Sequence, residues 1–147
     1  MQVIQARKDD MKHEAQTPLQ GTQESKLLVI VATGKEDGGK RATLAFSAAC
    51  CSAAMGSRTC VFLVGEGADW GYEGRSAGVS QPGFPPLDEL MSSFVEIGGE
   101  GMICSACHEV CAAPDANTGP AVRRDGFRPA GLASVLAEFQ GASALTF

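Results

Sequence analysis

The sequence predicts an α/β protein: a three-layer α/β/α sandwich around a mostly parallel sheet of about five strands. Three observations predict it. Short unbroken apolar runs, such as LLVIVA at 27–32 and CVFLV at 60–64, suit strands buried on both faces. Segments with apolar residues at helical spacing alternate with those runs, and glycine-rich turns separate the two kinds. That alternation is the pattern of strands joined by right-handed helical crossovers. The bulk numbers agree, since 147 residues make one domain, and 44% hydrophobic with 20% charged residues indicates a packed core rather than disorder.

The elements follow in order. Residues 1–26 form a polar N-terminal extension, expected to be mobile or loosely attached, and 27–147 form the α/β domain. The first strand is 27–32, and the turn TGKEDGG follows it. Residues 40–55 read as a small-residue helix with Leu44, Ala48, Cys51 and Met55 on its inner face and Gly56 ending it. A second strand at 60–64 runs into a long Gly- and Pro-rich loop at 65–86 that carries Trp70 and Tyr72. The amphipathic stretch 87–97, with Leu87, Leu90, Met91, Phe94 and Val95 on one side, is a helix ended by Gly98 and Gly99. A short strand at 101–104, one or two helical turns at 105–112, and turns at 115–120 come next. Phe127 marks a weak strand or turn, 132–139 a last helix, and 142–147 a closing strand.

Charge and composition remove several function classes. A net charge of −5 lacks the basic balance of a nucleic-acid binder. No apolar run is long enough to span a bilayer. The first 26 residues have no apolar stretch behind their basic residues, as a secretory signal requires, so the expected compartment is the reducing cytoplasm. The six cysteines are then expected to be thiols.

Chemistry concentrates in ICSACHEVC, residues 103–111. Its spacing admits haem attachment, a CxxC redox pair, a zinc site or a nucleophilic thiol. Haem attachment needs export and room outside an α/β core. Zinc needs three or four converging ligands, whereas Cys107 and His108 point about 100° apart on a helix. A thioredoxin-like pair follows the first strand of a different topology, whereas this pair follows the third. In open parallel sheets, reactive groups collect beyond the carboxyl ends of strands. Cys104 ends the third strand and Cys107 falls in the first turn after it, where free backbone N–H groups favour a thiolate. Cys50, Cys51 and Cys60 read as core residues.

Two other constellations compete. Gly34, Gly39 and Lys40 meet the Gly-x4-Gly-Lys spacing of a phosphate loop between a strand and a helix, but Arg41 stands where Ser or Thr would bind Mg²⁺. Trp70, Tyr72, Glu73 and Arg75 could lid a pocket, line an oligomer interface, or pack over the sheet edge. His108 could raise the thiolate fraction of Cys107 or simply be solvated.

The strand-ending Cys104-Ser-Ala-Cys107 resembles the active-site segment of the DsrE/DsrF-like sulfur-relay family. Residues 28–34 resemble that family's first strand and turn, and 44–56 its small-residue helix ending in Met-Gly. VFLVGEGADW resembles its second strand and substrate-side loop, GFPPLDELMSSFVEIGG the helix before the cysteine strand, and ALTF its closing strand. The resemblance implies an oligomeric α/β sandwich, often a trimer or hexamer, that works with sulfur donor and acceptor proteins and no cofactor. It implies that Cys104 accepts sulfane sulfur as a persulfide and hands it on. Cys107 is carried over as a second site residue, able to resolve that persulfide. Where many members have Arg-Gly, this chain has Cys111-Ala112. Two other readings stand beside it: a non-catalytic assembly or regulatory module with structural cysteines, and a phosphate or nucleotide binder using Gly34 to Lys40.

Overall fold

The computed structural model describes residues 23–112 and 119–147. Most of the expected polar extension, residues 1–22, lies outside the described residues, as do residues 113–118 of the expected turn region. Lys26 already belongs to the first strand.

Five strands form one sheet: β1 (Lys26–Val31), β2 (Arg58–Leu63), β3 (Glu100–Cys104), β4 (Phe127–Ala130) and β5 (Ser143–Thr146). Their order is β4-β3-β2-β1-β5, and every neighbouring pair is parallel. The helices are α1 (Lys40–Ala54), α2 (Leu87–Glu96), α3 (Ser105–Cys111) and α4 (Leu132–Glu138). The expected three-layer sandwich is thus the observed one. The strand period of two sorts the core. Val29, Val31, Val61, Leu63, Ile103 and Phe127 face α1 and α2, whereas Leu28, Cys60, Phe62, Met102 and Ala130 face α4. Pro129, which lacks an amide donor, is tolerated in β4 because β4 is an edge strand.

Helix α1 buries a different face from the one expected. Ala42, Ala45, Phe46 and Ala49 are buried, while Leu44, Cys51 and Met55 are exposed and Ala48 is intermediate. Both stripes are small and apolar, so periodicity alone leaves the choice open. Phe46 decides it. Its ring packs edge-on to Phe94 at 5.9 Å and tilted against Phe127 at 6.2 Å, contacts available only inside. The core assignment of the cysteines changes with it: Cys60 is buried, but Cys50 is only half-buried and Cys51 is exposed.

The long 65–86 loop is also more built than expected. It opens with a 3₁₀ helix, Gly65–Gly71, and its Trp70 and Tyr72 are among the largest fully buried side chains. Trp70 donates its indole N–H to the Thr33 carbonyl at 2.9 Å. The loop can lie this close to β1 because Gly67 has no side chain; a Cβ there would overlap the Val31 carbonyl. The loop therefore packs into the core beneath α3 rather than acting as a free lid.

Candidate functional site

The site forms where β3 ends and α3 begins. β3 pairs with β2 on one side and β4 on the other, so its last residue, Cys104, is held at the carboxyl edge of the sheet. Cys104 is also the N-cap residue of α3. Its half-buried sulfur therefore meets the first free amides of the helix.

Those amides set the thiol chemistry. The Cys107 N–H donates to Cys104 Sγ, joined by the Cys107 thiol and the Ala106 N–H. Together they hold the Cys104 thiol below its ordinary range, with the Cys107 amide the largest influence and burial opposing it. Cys107 moves the other way. Burial pushes its thiol up, the Gly65 N–H at 3.3 Å from its sulfur offsets part of that, and its own hydrogen bond to Cys104 adds to the rise. Of the pair, Cys104 is thus the more acidic thiol and Cys107 the one that holds its proton longer. Cys111, one turn further on the same helix face, is raised by burial first and then by the nearby Asp69 and Cys107 charges. It lines an open cleft of about 390 Å³ with Lys35, Glu36, Gly65, Glu66 and Asp69.

The helix carrying these thiols is anchored from the loop. Tyr72 Oη lies 2.5 Å from His108 Nδ1 and 3.3 Å from the His108 carbonyl oxygen, to which it donates. Which partner donates in the ring contact depends on the imidazole tautomer. The two rings lie parallel, with centroids 5.9 Å apart and an interplanar angle of 4°. Burial pushes the Tyr72 phenol up to about 12, so it keeps its proton. His108, read from the sequence as a neighbour of Cys107 or a solvated residue, is a partner of Tyr72.

Sequence reasoning missed Arg124. Its guanidinium donates to Asp88 Oδ1 at 2.6 Å, Ser76 Oγ at 3.1 Å, the Asp88 carbonyl at 3.0 Å and Ser92 Oγ at 2.8 Å. Its backbone N–H meets the Gly71 carbonyl at 2.8 Å. Arg124 therefore ties the loop, α2 and the chain leading into β4 together. No spacing motif marks it, because its partners come from two segments distant in the chain, the loop and α2.

The phosphate-loop resemblance meets a competing carboxylate. Asp37 accepts from the Gly39 and Arg41 amides, each at 3.0 Å, at the start of α1. The amides a phosphate would need are engaged by the chain's own anion. Lys35 faces Asp69 at 3.9 Å. Among the described residues, no group of three His, Cys, Asp or Glu side chains converges to hold a metal ion. Among the same residues, no helix is long and apolar enough to cross a membrane.

The comparisons with known proteins agree with this architecture. The family model described as the DsrE/DsrF-like family matches residues 25–147. The crystal structure of the YchN protein from E. coli superposes with a TM-score of 0.62 at 15% identity, covering 85% of this chain and 100% of that one. A conserved protein of unknown function from Bacteroides thetaiotaomicron, BT1422, superposes with a TM-score of 0.52 at 16% identity, covering 82% of this chain and 94% of that one. At these identities the likeness is one of fold. No curated protein matches the sequence.

Proposed function

The chain belongs to the DsrE/DsrF-like family, and from that premise we propose that it is a sulfur carrier or sulfurtransferase working through Cys104. The observation that supports this best is the asymmetry of the thiol pair, in which Cys104 is favoured as thiolate and Cys107 as thiol. A thiolate is the attacking species in sulfur exchange. Cys104 Sγ attacks the sulfane sulfur of a donor. The new S–S bond forms as the donor's own S–S bond breaks, and the donor leaves as a thiolate. An acceptor thiolate then attacks the outer sulfur and Cys104 leaves as thiolate, so the protein ends unchanged in oxidation state.

Incubation with a small-molecule persulfide donor followed by intact-mass analysis tests the reading. A gain of about 32 Da, one sulfur, is expected in a variant or condition that preserves the persulfide, and its absence in Cys104→Ser. A gain that survives Cys104→Ser overturns it.

The donor and acceptor are read as proteins and the working compartment as the cytoplasm. A homo-oligomer fits the exposed Leu132 and Leu136 on α4 and Leu145 on the edge strand β5. Those same residues favour the second reading, a non-catalytic assembly module. Iodoacetamide separates the two. The assembly reading requires Cys104 to react no faster than free cysteine at mildly acidic pH, whereas a depressed thiol reacts faster.

A further inference from the structure

We propose that Cys107 reduces the Cys104 persulfide, so that without an acceptor the site releases its sulfur as sulfide and closes a Cys104–Cys107 disulfide. The inference rests on Cys104 being the persulfide-bearing residue.

Three observations point to this step. The Cys104 and Cys107 thiols lie close enough at the start of α3 for each to shift the other's acidity, Cys107 lowering Cys104 and Cys104 raising Cys107. The rise and radius of an α-helix put Cα atoms three residues apart about 5 Å from each other, within the Cα–Cα span of about 4.4–6.8 Å that a disulfide bridges. The third observation comes from a distant segment. The Gly65 N–H, at the carboxyl end of β2, is 3.3 Å from Cys107 Sγ. Gly65 holds φ at 54°, in the left-handed region that favours glycine, as it delivers that amide. When Cys107 gives up its proton, its developing negative charge meets a donor already in place, as charge developing at a preorganised amide does. Cys111 shares the helix face of Cys107 but is not among the groups bonded to Cys104 Sγ.

The step balances without an outside oxidant. Cys107 Sγ forms a bond to Cys104 Sγ while the bond from Cys104 Sγ to the outer sulfur breaks. The outer sulfur leaves as hydrosulfide and takes up the proton that Cys107 loses. Two electrons pass from the dithiol to the sulfane sulfur, which becomes sulfide, and the dithiol becomes a disulfide. Attack at the inner sulfur is the favoured course, because Cys107 is poised beside Cys104 Sγ and hydrosulfide is a competent leaving group. A cellular dithiol reductant then opens the disulfide and resets the site. An acceptor thiol competes with Cys107 for the same persulfide.

The experiment treats the reduced full-length protein with one equivalent of glutathione persulfide and no acceptor. Sulfide is read on an electrode, and intact and peptide masses are read after desalting. The wild type should release about one sulfide per chain and end about 2 Da lighter than its reduced form, the two lost hydrogens marking a disulfide. Cys107→Ser and Cys107→Ala, with fold verified by circular dichroism, should instead hold about 32 Da on the Cys104 peptide and release no sulfide above the donor blank. The inference is overturned if the wild type keeps the extra sulfur on Cys104, or passes it intact to Cys107. If neither Cys107 variant gains the sulfur, Cys104 is not the acceptor and both the carrier reading and this step fall. A persulfide that persists on Cys104 in the wild type as it does in the Cys107 variants rejects this step alone.

Discussion

Replacing Tyr72 with phenylalanine removes one buried oxygen and leaves the ring, and so isolates the tie between the loop and the cysteine helix. The hydroxyl contacts His108 Nδ1 at 2.5 Å and the His108 carbonyl at 3.3 Å. A neutral hydrogen bond contributes about 0.5–1.5 kcal/mol net, and a buried partner left unpaired costs about 1–3 kcal/mol. Two features hold the loss near the low end. His108 is only half-buried, so water can reach its ring, and its carbonyl still accepts from the Ala112 N–H at 2.8 Å. The expected loss is about 1–1.5 kcal/mol, or roughly 2–6 °C in Tm for a chain of this size. Urea denaturation followed by tryptophan fluorescence measures it, since buried Trp70 sits in the same loop. The Ala106 and Cys107 amides that favour the Cys104 thiolate ride on the tied helix. The pH midpoint of Cys104 alkylation should therefore rise toward that of free cysteine in Tyr72→Phe. A stability within about 0.3 kcal/mol of wild type refutes the anchoring argument. A lowered stability with an unmoved alkylation midpoint refutes the coupling of the anchor to the thiolate.

Phe46→Ala should cost about 3–5 kcal/mol in urea denaturation and Leu44→Ala less than about 1 kcal/mol, because only Phe46 lies on the buried face of α1; equal losses reject that orientation. Removing the Cys107 thiol by Cys107→Ala should raise the pH midpoint of Cys104 alkylation, since a donor to the thiolate is lost while both amides remain; a lower midpoint contradicts the proton assignment. Alkaline pH should weaken the fold. Cys60 and Tyr72 are each pushed up to about 12, in both cases by burial first, so they stay protonated when folded. The unfolded chain loses those protons from about pH 8.5 to 10, so stability falls as pH rises through about 9 toward 12. Urea midpoints at a series of alkaline pH values check this, and Cys60→Ala should flatten the slope. Arg124→Ala should lower stability by about 2 kcal/mol through loss of its charged hydrogen bonds, and the Asp88 carboxyl, held low first by Arg124 and then by Ser76, should rise in an NMR titration.

Much of this molecule is legible along the chain because its determinants are local. The runs ending at Val31 and Leu63 suit strands buried on both faces, and both are strands. Their alternation with helical segments gives the parallel sheet. The position of Cys104 at a strand end, with Cys107 in the following turn, comes from counting residues. The inner face of α1 was misread because Leu44, Cys51 and Met55 are as apolar as the alanines that are buried, and only the fit of the Phe46 ring against Phe94 and Phe127 separates the two stripes.

What the sequence determined by itself is the order of elements, the two-faced burial of the central strands and the placing of a CxxC pair at the sheet's carboxyl edge. Each follows from periodicities that act over one or two turns of chain. The tertiary structure alone decided which thiol is the more acidic, which amide stands behind Cys107, and what holds α3 in place. Gly65 lies 42 residues from Cys107, Tyr72 lies 36 from His108, and Arg124 reaches partners 32 to 48 residues away. Hydrogen bonds and charge effects act over a few ångströms of space whatever the distance along the chain, so their partners become known only when the sheet and its loops close around them.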